Sequence, residues 1–204
     1  MKKIILISGG SCSGKTTLAK MICEILGYDN VIQISQDDYF IDYSHYSKKE
    51  LEQENFDKPS AFMLDKLVED VEMLLQGKTV NLPKYDFKLH KAHEYKTIIS
   101  EKYRYIIIEG IMGFHNHRLN DMSCLKIFVN TDMDIMLARR IQRDGKERFF
   151  KIESTIHRYL RDVRNGYLNY VLPSLKYADI EIDGNIPFEK KEIMEILYKN
   201  GFHK

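Results

Sequence analysis

Short apolar runs alternate along this chain with stretches in which apolar residues return every three or four positions. Ile4–Ile7, Val31–Ile34, Tyr105–Ile108, Leu125–Val129 and Ile180–Ile182 read as strands buried on both faces, the pattern of a mostly parallel sheet. Between them, Leu18, Ile22, Ile25 and Leu26 mark a helix over Lys15–Leu26 that stops at Gly27. A second helix is predicted over Ala61–Gln76, with Ser60 as N-cap and Gly77 past its end. Its apolar face is Leu64, Leu67, Val68, Val71, Leu74 and Leu75. A third begins near Asp132, where Thr131 and Asp134 have capping-box spacing, and a last one, read as structural packing, runs from about Pro187 to Tyr198. From Gly77 to Ser100 the period changes: Pro83, aromatics, histidines and the alternation Tyr95, Thr97, Ile99 predict an antiparallel hairpin. The expected architecture is one α/β domain over residues 1–204, helices on both faces of the sheet and a hairpin inserted at about 80–100.

The first strand runs directly into Gly9-Gly10-Ser11-Cys12-Ser13-Gly14-Lys15-Thr16, and the first helix follows. Strand, G-x-x-x-x-G-K-T, helix is the arrangement of a phosphate-binding P-loop, which predicts a P-loop NTPase fold. Gly9 and Gly14 allow the loop backbone to aim successive N–H groups at phosphate oxygens, and the helix N-terminus adds positive field. Gly10, Ser11, Cys12, Ser13 and Thr17 complete the cradle. Lys15 can reach the β- and γ-phosphates, and the Thr16 hydroxyl can hold Mg²⁺. A nucleoside triphosphate is the expected ligand.

Three further groups supply candidate chemistry. Ser35-Gln36-Asp37-Asp38 follows the second strand, where a carboxylate can accept a proton from a substrate hydroxyl. Asp37 is the first candidate and Asp38 the second; both could instead cap the following turn. Glu109 ends a buried strand, the position from which a P-loop protein's carboxylate holds Mg²⁺; a turn cap is the alternative, and the phosphate loop favours the metal role. Arg139, Arg140, Arg143, Lys146, Arg148 and Lys151 cluster on and beyond the third helix. A solvated basic face and a nucleic-acid surface are the alternatives there. Asp144, Glu147 and Glu153 interrupt the run, so an arginine lid over a transferring phosphate, at about 139–158, explains it better.

Bulk composition narrows the partners. Charged residues make up 30% of the chain yet the net charge is only +1, which favours neither nucleic acid nor an anionic membrane. Cys12, Cys23 and Cys124 form no disulfide framework or zinc spacing and suggest a reducing, cytoplasmic location. The apolar run after Lys2-Lys3 is too short for a signal segment or a membrane span.

With these residues in place the chain resembles the uridine (uridine–cytidine) kinases among the P-loop nucleoside kinases. The likeness runs from Ile4 to about Ile182 and includes Asn55-Phe56-Asp57-Lys58-Pro59, Pro83-x-Tyr85-Asp86-Phe87-x-x-His90, Ile108-Glu109-Gly110, Arg139-Arg140-Ile141-x-Arg143-Asp144 and Lys176-Tyr177-Ala178-Asp179. The resemblance implies ATP- or GTP-dependent, Mg²⁺-assisted phosphorylation of the 5′-hydroxyl of uridine or cytidine, with Asp37 as base. It implies that Asp57 and Arg140 hold the ribose, that Tyr85 and Phe87 stack on the pyrimidine and His90 reads its edge, and that Arg143 and Arg148 contact phosphates. Tyr85 and Phe87 could also be hairpin core, and His90 an exposed loop residue. It further implies a homo-oligomer, a tetramer; the near-neutral charge leads us to expect no nucleic-acid or membrane partner.

The departures lie at the acceptor end. The family's Glu-Arg-Gly-Arg lid is Glu147-Arg148-Phe149-Phe150 here, a glutamine that reads the pyrimidine aligns with Arg158, and Phe-Tyr after the catalytic aspartate is Tyr39-Phe40. Another nucleoside, or a small alcohol of the kind taken by phosphoribulokinase- or pantothenate-kinase-like proteins, is therefore the nearest alternative acceptor. A regulatory ATPase and an RNA-binding protein are the alternatives of other classes.

Overall fold

A computed structural model describes residues 2–147 and 150–204. Five parallel strands form the central sheet: β1 (Lys3–Gly9), β2 (Val31–Ser35), β5 (Tyr105–Gly110), β6 (Leu125–Asn130) and β7 (Ile180–Asp183), in the order β2-β5-β1-β6-β7. The remaining two strands, β3 (Thr79–Asp86) and β4 (Lys91–Ile99), pair antiparallel as a separate hairpin with a register shift between Lys84 and Tyr85.

Period-two alternation sorts the strand residues into two cores. Ile4, Leu6, Ile32, Ile34, Ile106 and Ile108 face one side, where they meet α3 (Leu64–Leu75) and the hairpin. Ile5, Ile7, Ile107, Ile127 and Val129 face the other side, against α1 (Lys15–Leu26) and α8 (Lys190–Lys199). Because both faces are covered, Ile4 to Ile7 are fully buried, as a continuous apolar run requires. The short α2 (Lys48–Gln53) and α4 (His117–Met122) connect elements at the periphery. Helix α5 (Met133–Glu147) carries the arginine cluster. Beyond it, α6 (Ile152–Arg158), a wide π-type turn (Tyr159–Val163), α7 (Arg164–Gly166) and a second π-type turn (Tyr167–Val171) follow one another as a helical run.

Two helix starts and one expected cap differ from the sequence expectation, each for a tertiary reason. Helix α3 begins at Leu64, because Phe62 is extended and bridges antiparallel to Phe40, while Ser60 sits in a separate 3-10 turn. The last helix begins at Lys190, since Phe188 turns back to pack on Gly14 of the P-loop. At α5 the Thr131 hydroxyl accepts from no helix N–H among the described residues; it donates instead to the Ser13 carbonyl at 2.9 Å.

Candidate active site

The carboxyl ends of β1, β2 and β5 converge on one cavity of about 1530 Å³, larger than the ~300–1,000 Å³ of a single small-molecule site and so roomy enough for two ligands. One end is the P-loop. Gly14, at φ 107, turns the chain into α1 with no side-chain cap, which leaves the first-turn N–H groups facing the cavity. Ser11, Cys12, Gly14, Lys15, Thr16 and Thr17 line this end; Gly9, Gly10 and Ser13 lie behind them and shape the loop. The Lys15 ammonium rests 3.5 Å from the Gly10 carbonyl. Cys12 adopts φ 66, a left-handed conformation uncommon for a side-chain-bearing residue.

The sequence alone does not disclose what holds this loop. The Ser13 carbonyl receives the Thr131 hydroxyl at 2.9 Å and an Arg139 guanidinium N–H at 3.4 Å, and Arg139 also donates to the Gly184 carbonyl at 2.8 Å. Arg139 is thus a fastener between α5, the P-loop and the end of β7. Met21, Ile186, Pro187 and Phe188 add an apolar lining near the loop.

Glu109 is buried in register with Ser35 of β2 and Ile7 of β1. Burial raises its carboxyl above the ordinary range and Asp37 adds to the rise; Lys15 and hydrogen bonds from Ser35 and Thr16 oppose it. The Ser35 hydroxyl donates at 3.0 Å. A carboxylate and a hydroxyl side by side are hard oxygen donors of the kind Mg²⁺ takes alongside phosphates and water. Among the described residues no group of three or more His, Cys, Asp or Glu could hold a metal by itself.

Asp37 and Asp38 share one 3-10 turn (Gln36–Tyr39) but face different ways. Asp37 lines the cavity, whereas Asp38 accepts the Tyr85 backbone N–H and the Lys84 ammonium, both at 3.1 Å, and so ties the hairpin to the sheet. Gln36 fixes the turn by accepting the Met112 N–H at 2.8 Å. The hydroxyl of Tyr39 points into the core and donates to Asp70 at 3.0 Å, and Phe40 takes the cavity side.

The far end of the cavity is aromatic. Phe40, Phe56, Tyr85, Phe87 and His90 all line it; Phe40 stacks on Phe62 at 4.2 Å, and Phe56 lies nearly parallel to His90 at 6.4 Å. Tyr85 is mostly core, with a buried hydroxyl that has no hydrogen-bond partner among the described residues, while Phe87 is 44% exposed at the hairpin tip. His90 has φ 55, and burial, assisted by Arg158, lowers its pKa below 6.5. Asp57 lies between the aromatic end and the P-loop. Burial raises its carboxyl, Arg140 and Lys15 pull it down, and Asp37 and Asp162 push it further up. Its main chain is in tight contact with Gly166 of α7.

Two arginines of α5, Arg140 and Arg143, share one buried anchor. Asp144 accepts Arg143 at 2.8 Å and 3.0 Å, and lies 3.4 Å from Arg140 Nε; Arg140 also donates to Ser11 Oγ at 3.0 Å. In the sequence Asp144 only interrupts a basic run; in the fold it orients two of its members. Burial works against the Arg143 cation, but Cys12, Asp144 and Asp37 outweigh it and raise its pKa. Arg158 and Phe150, the two acceptor-end departures, touch each other: the guanidinium lies 5.1 Å from the ring centroid. Arg148 and Phe149 lie outside the described residues.

Comparison with known proteins fits this layout. The model of the phosphoribulokinase/uridine kinase family matches residues 4–187. The chain belongs to that family. It is 40% identical over 179 residues to a uridine kinase of Halalkalibacterium halodurans, which covers 88% of this chain and 84% of that protein. It is 38% identical to uridine kinase-like protein 5 of Arabidopsis thaliana, again over 88% of this chain but only 38% of the longer plant protein. Among solved structures, phosphoribulokinase from Rhodobacter spheroides superposes with a TM-score of 0.64 at 15% identity, covering 92% of this chain and 74% of that one, a likeness of fold. Among the described residues no helix is long and apolar enough to cross a membrane.

Proposed function

We propose that this family member is a nucleoside kinase that transfers the γ-phosphoryl group of ATP or GTP to the 5′-hydroxyl of a pyrimidine ribonucleoside, uridine or cytidine. The observation that carries the reading is one cavity with a P-loop at one end, an aromatic pocket at the other, and Asp37 on the wall between them. Kinship with proteins named uridine kinases supports the acceptor class.

In this reading the loop amides and Lys15 hold the donor's β- and γ-phosphates. Thr16 and Glu109 hold Mg²⁺, which neutralises charge on the phosphates when bound. Asp57 accepts hydrogen bonds from the vicinal ribose hydroxyls, a geometry suited to a carboxylate. Phe40, Phe56 and Phe87 enclose the flat base, and His90 contributes a neutral imidazole at its edge. Asp37 takes the 5′-hydroxyl proton as the new P–O bond forms and the bond to the departing ADP or GDP breaks; Arg140 assists Asp57 at the ribose, and Arg143 and Arg148 stabilise charge on the transferred group.

The test is ADP release with Mg²⁺-ATP across uridine, cytidine, adenosine, guanosine, pantothenate and ribulose 5-phosphate. The reading expects strong stimulation by one or both pyrimidine nucleosides. A response confined to a non-nucleoside alcohol would overturn the acceptor assignment. The contact between Arg158 and Phe150 is what favours that second reading, since it changes the pocket where the acceptor's far end lies.

A further inference from the structure

Five arginines among the described residues line the cavity: Arg139, Arg140, Arg143, Arg158 and Arg161. Four of them are already engaged. Arg139 is held by the Gly184 carbonyl, Arg140 by Ser11, Arg143 by Asp144, and Arg161 by Asp162 and the Glu52 carbonyl. Arg158 makes no hydrogen bond or ion pair with any described residue; only the Phe150 ring supports its guanidinium. It is half-buried, and burial together with Arg161 and Arg140 depresses its pKa, with Glu52 and Asp162 giving partial compensation. A guanidinium so placed keeps five N–H donors and no acceptor, and leaving them unmet in a partly desolvated site is costly. The group that fills this end of the cavity therefore brings acceptors with it.

The fork of an arginine fits two adjacent, coplanar acceptors. Uracil does not offer that edge: its two carbonyls flank an N3–H donor, which would face the guanidinium donors directly. Cytosine does, because O2 and N3 are neighbouring acceptors, and its exocyclic amine is a donor. His90 shares this wall, close enough to Arg158 for that charge to lower its pKa, and stays neutral near pH 7 with one ring nitrogen free to accept. Two donors beside one acceptor complement the cytosine edge and mismatch uracil. Resting on the nucleoside-kinase reading above, we infer that Arg158, propped on Phe150 and working beside His90, is the specificity-determining residue that makes this enzyme select cytidine over uridine.

The experiment measures dissociation constants by titration calorimetry for cytidine, uridine and 3-deazacytidine, in which a C–H replaces the N3 acceptor. Wild-type protein should bind cytidine roughly 10- to 100-fold more tightly than uridine, the discrimination a bidentate arginine contact provides, and 3-deazacytidine should fall to the uridine level. Arg158→Gln, able to donate and accept, should bring cytidine and uridine within about threefold of one another. Arg158→Lys, which keeps the charge but loses the fork, should shrink the preference as well. Equal binding of the two nucleosides by wild-type protein overturns the inference and leaves the nucleoside-kinase reading standing. So does full-strength binding of 3-deazacytidine, or an unchanged cytidine preference in Arg158→Gln. Absence of binding by every nucleoside, with ADP release driven by a non-nucleoside, overturns both. If the variants do not fold, the wild-type comparison of cytidine with 3-deazacytidine still decides.

Discussion

Gly166 and Asp57 are in contact without room for a methyl group: a β-carbon on Gly166 would lie 2.3 Å from the Asp57 carbonyl oxygen and 2.8 Å from its β-carbon. The glycine is helical, so close approach and not an unusual φ is what demands it. Gly166→Ala should push Asp57 away from the acceptor site. The expected result is a KM for the nucleoside raised about tenfold or more with donor KM unchanged, and a stability cost of about 1–3 kcal/mol from overpacking. Steady-state kinetics with each substrate varied in turn checks it; an unchanged nucleoside KM would remove Asp57 from the ribose site.

The consecutive carboxylates Asp37 and Asp38 should separate cleanly by mutation. Asp37→Asn is expected to lower kcat about 10²–10⁴-fold with nucleoside affinity retained, the signature of a lost general base. Asp38→Asn loses only the tie to Lys84 and weakens the one to Tyr85, and should keep kcat within about tenfold while loosening the hairpin. Equal kcat losses in the two variants would contradict the assignment of the base to Asp37.

Glu109 sets activity against stability. Its folded carboxyl titrates above the ordinary 4.5 because it is buried, so the folded state binds the proton more tightly than the unfolded chain does. Stability is therefore lost as pH rises from that ordinary value through the raised one. Glu109→Gln should raise the Tm at pH 7, by about 2–4 °C per kcal/mol relieved, with the gain vanishing below pH 4.5. The same variant should lose Mg²⁺-dependent turnover by at least about tenfold. Thermal melts across pH in the absence of nucleotide, with parallel rates, test both halves.

Thr131 should matter to the donor alone. Thr131→Val removes the 2.9 Å bond to Ser13 and leaves that carbonyl with Arg139 only, at a cost of about 0.5–1.5 kcal/mol. The KM for ATP should rise about three- to tenfold while nucleoside affinity stays constant. A change confined to the nucleoside would mean that the hydroxyl does not serve the loop.

Those contacts mark the boundary of what the sequence reveals. Apolar runs such as Ile4–Ile7 announce buried strands because burial on both faces leaves no polar position, and α1 is bounded at both ends by glycines at Gly14 and Gly27. Helix starts were legible only where local chemistry decides them. At Leu64 and Lys190 distant packing moved the boundary, through the Phe40–Phe62 bridge and the Phe188–Gly14 contact. The fastening of Ser13 by Thr131 spans 118 positions, and no local pattern encodes it. Asp144 was visible as a residue but not as the pivot of Arg140 and Arg143, since its role exists only when its helix is buried.

The single 3-10 turn that carries Asp37 and Asp38 has a consequence for anyone exchanging parts between such enzymes. One residue of the turn faces the chemistry and the next grips the hairpin, so the hairpin cannot be regraded or replaced as an independent cassette. The transplantable module begins at Gln36, not at Thr79, and a graft cut at the strand ends would carry the pocket without the hinge pin that aligns it.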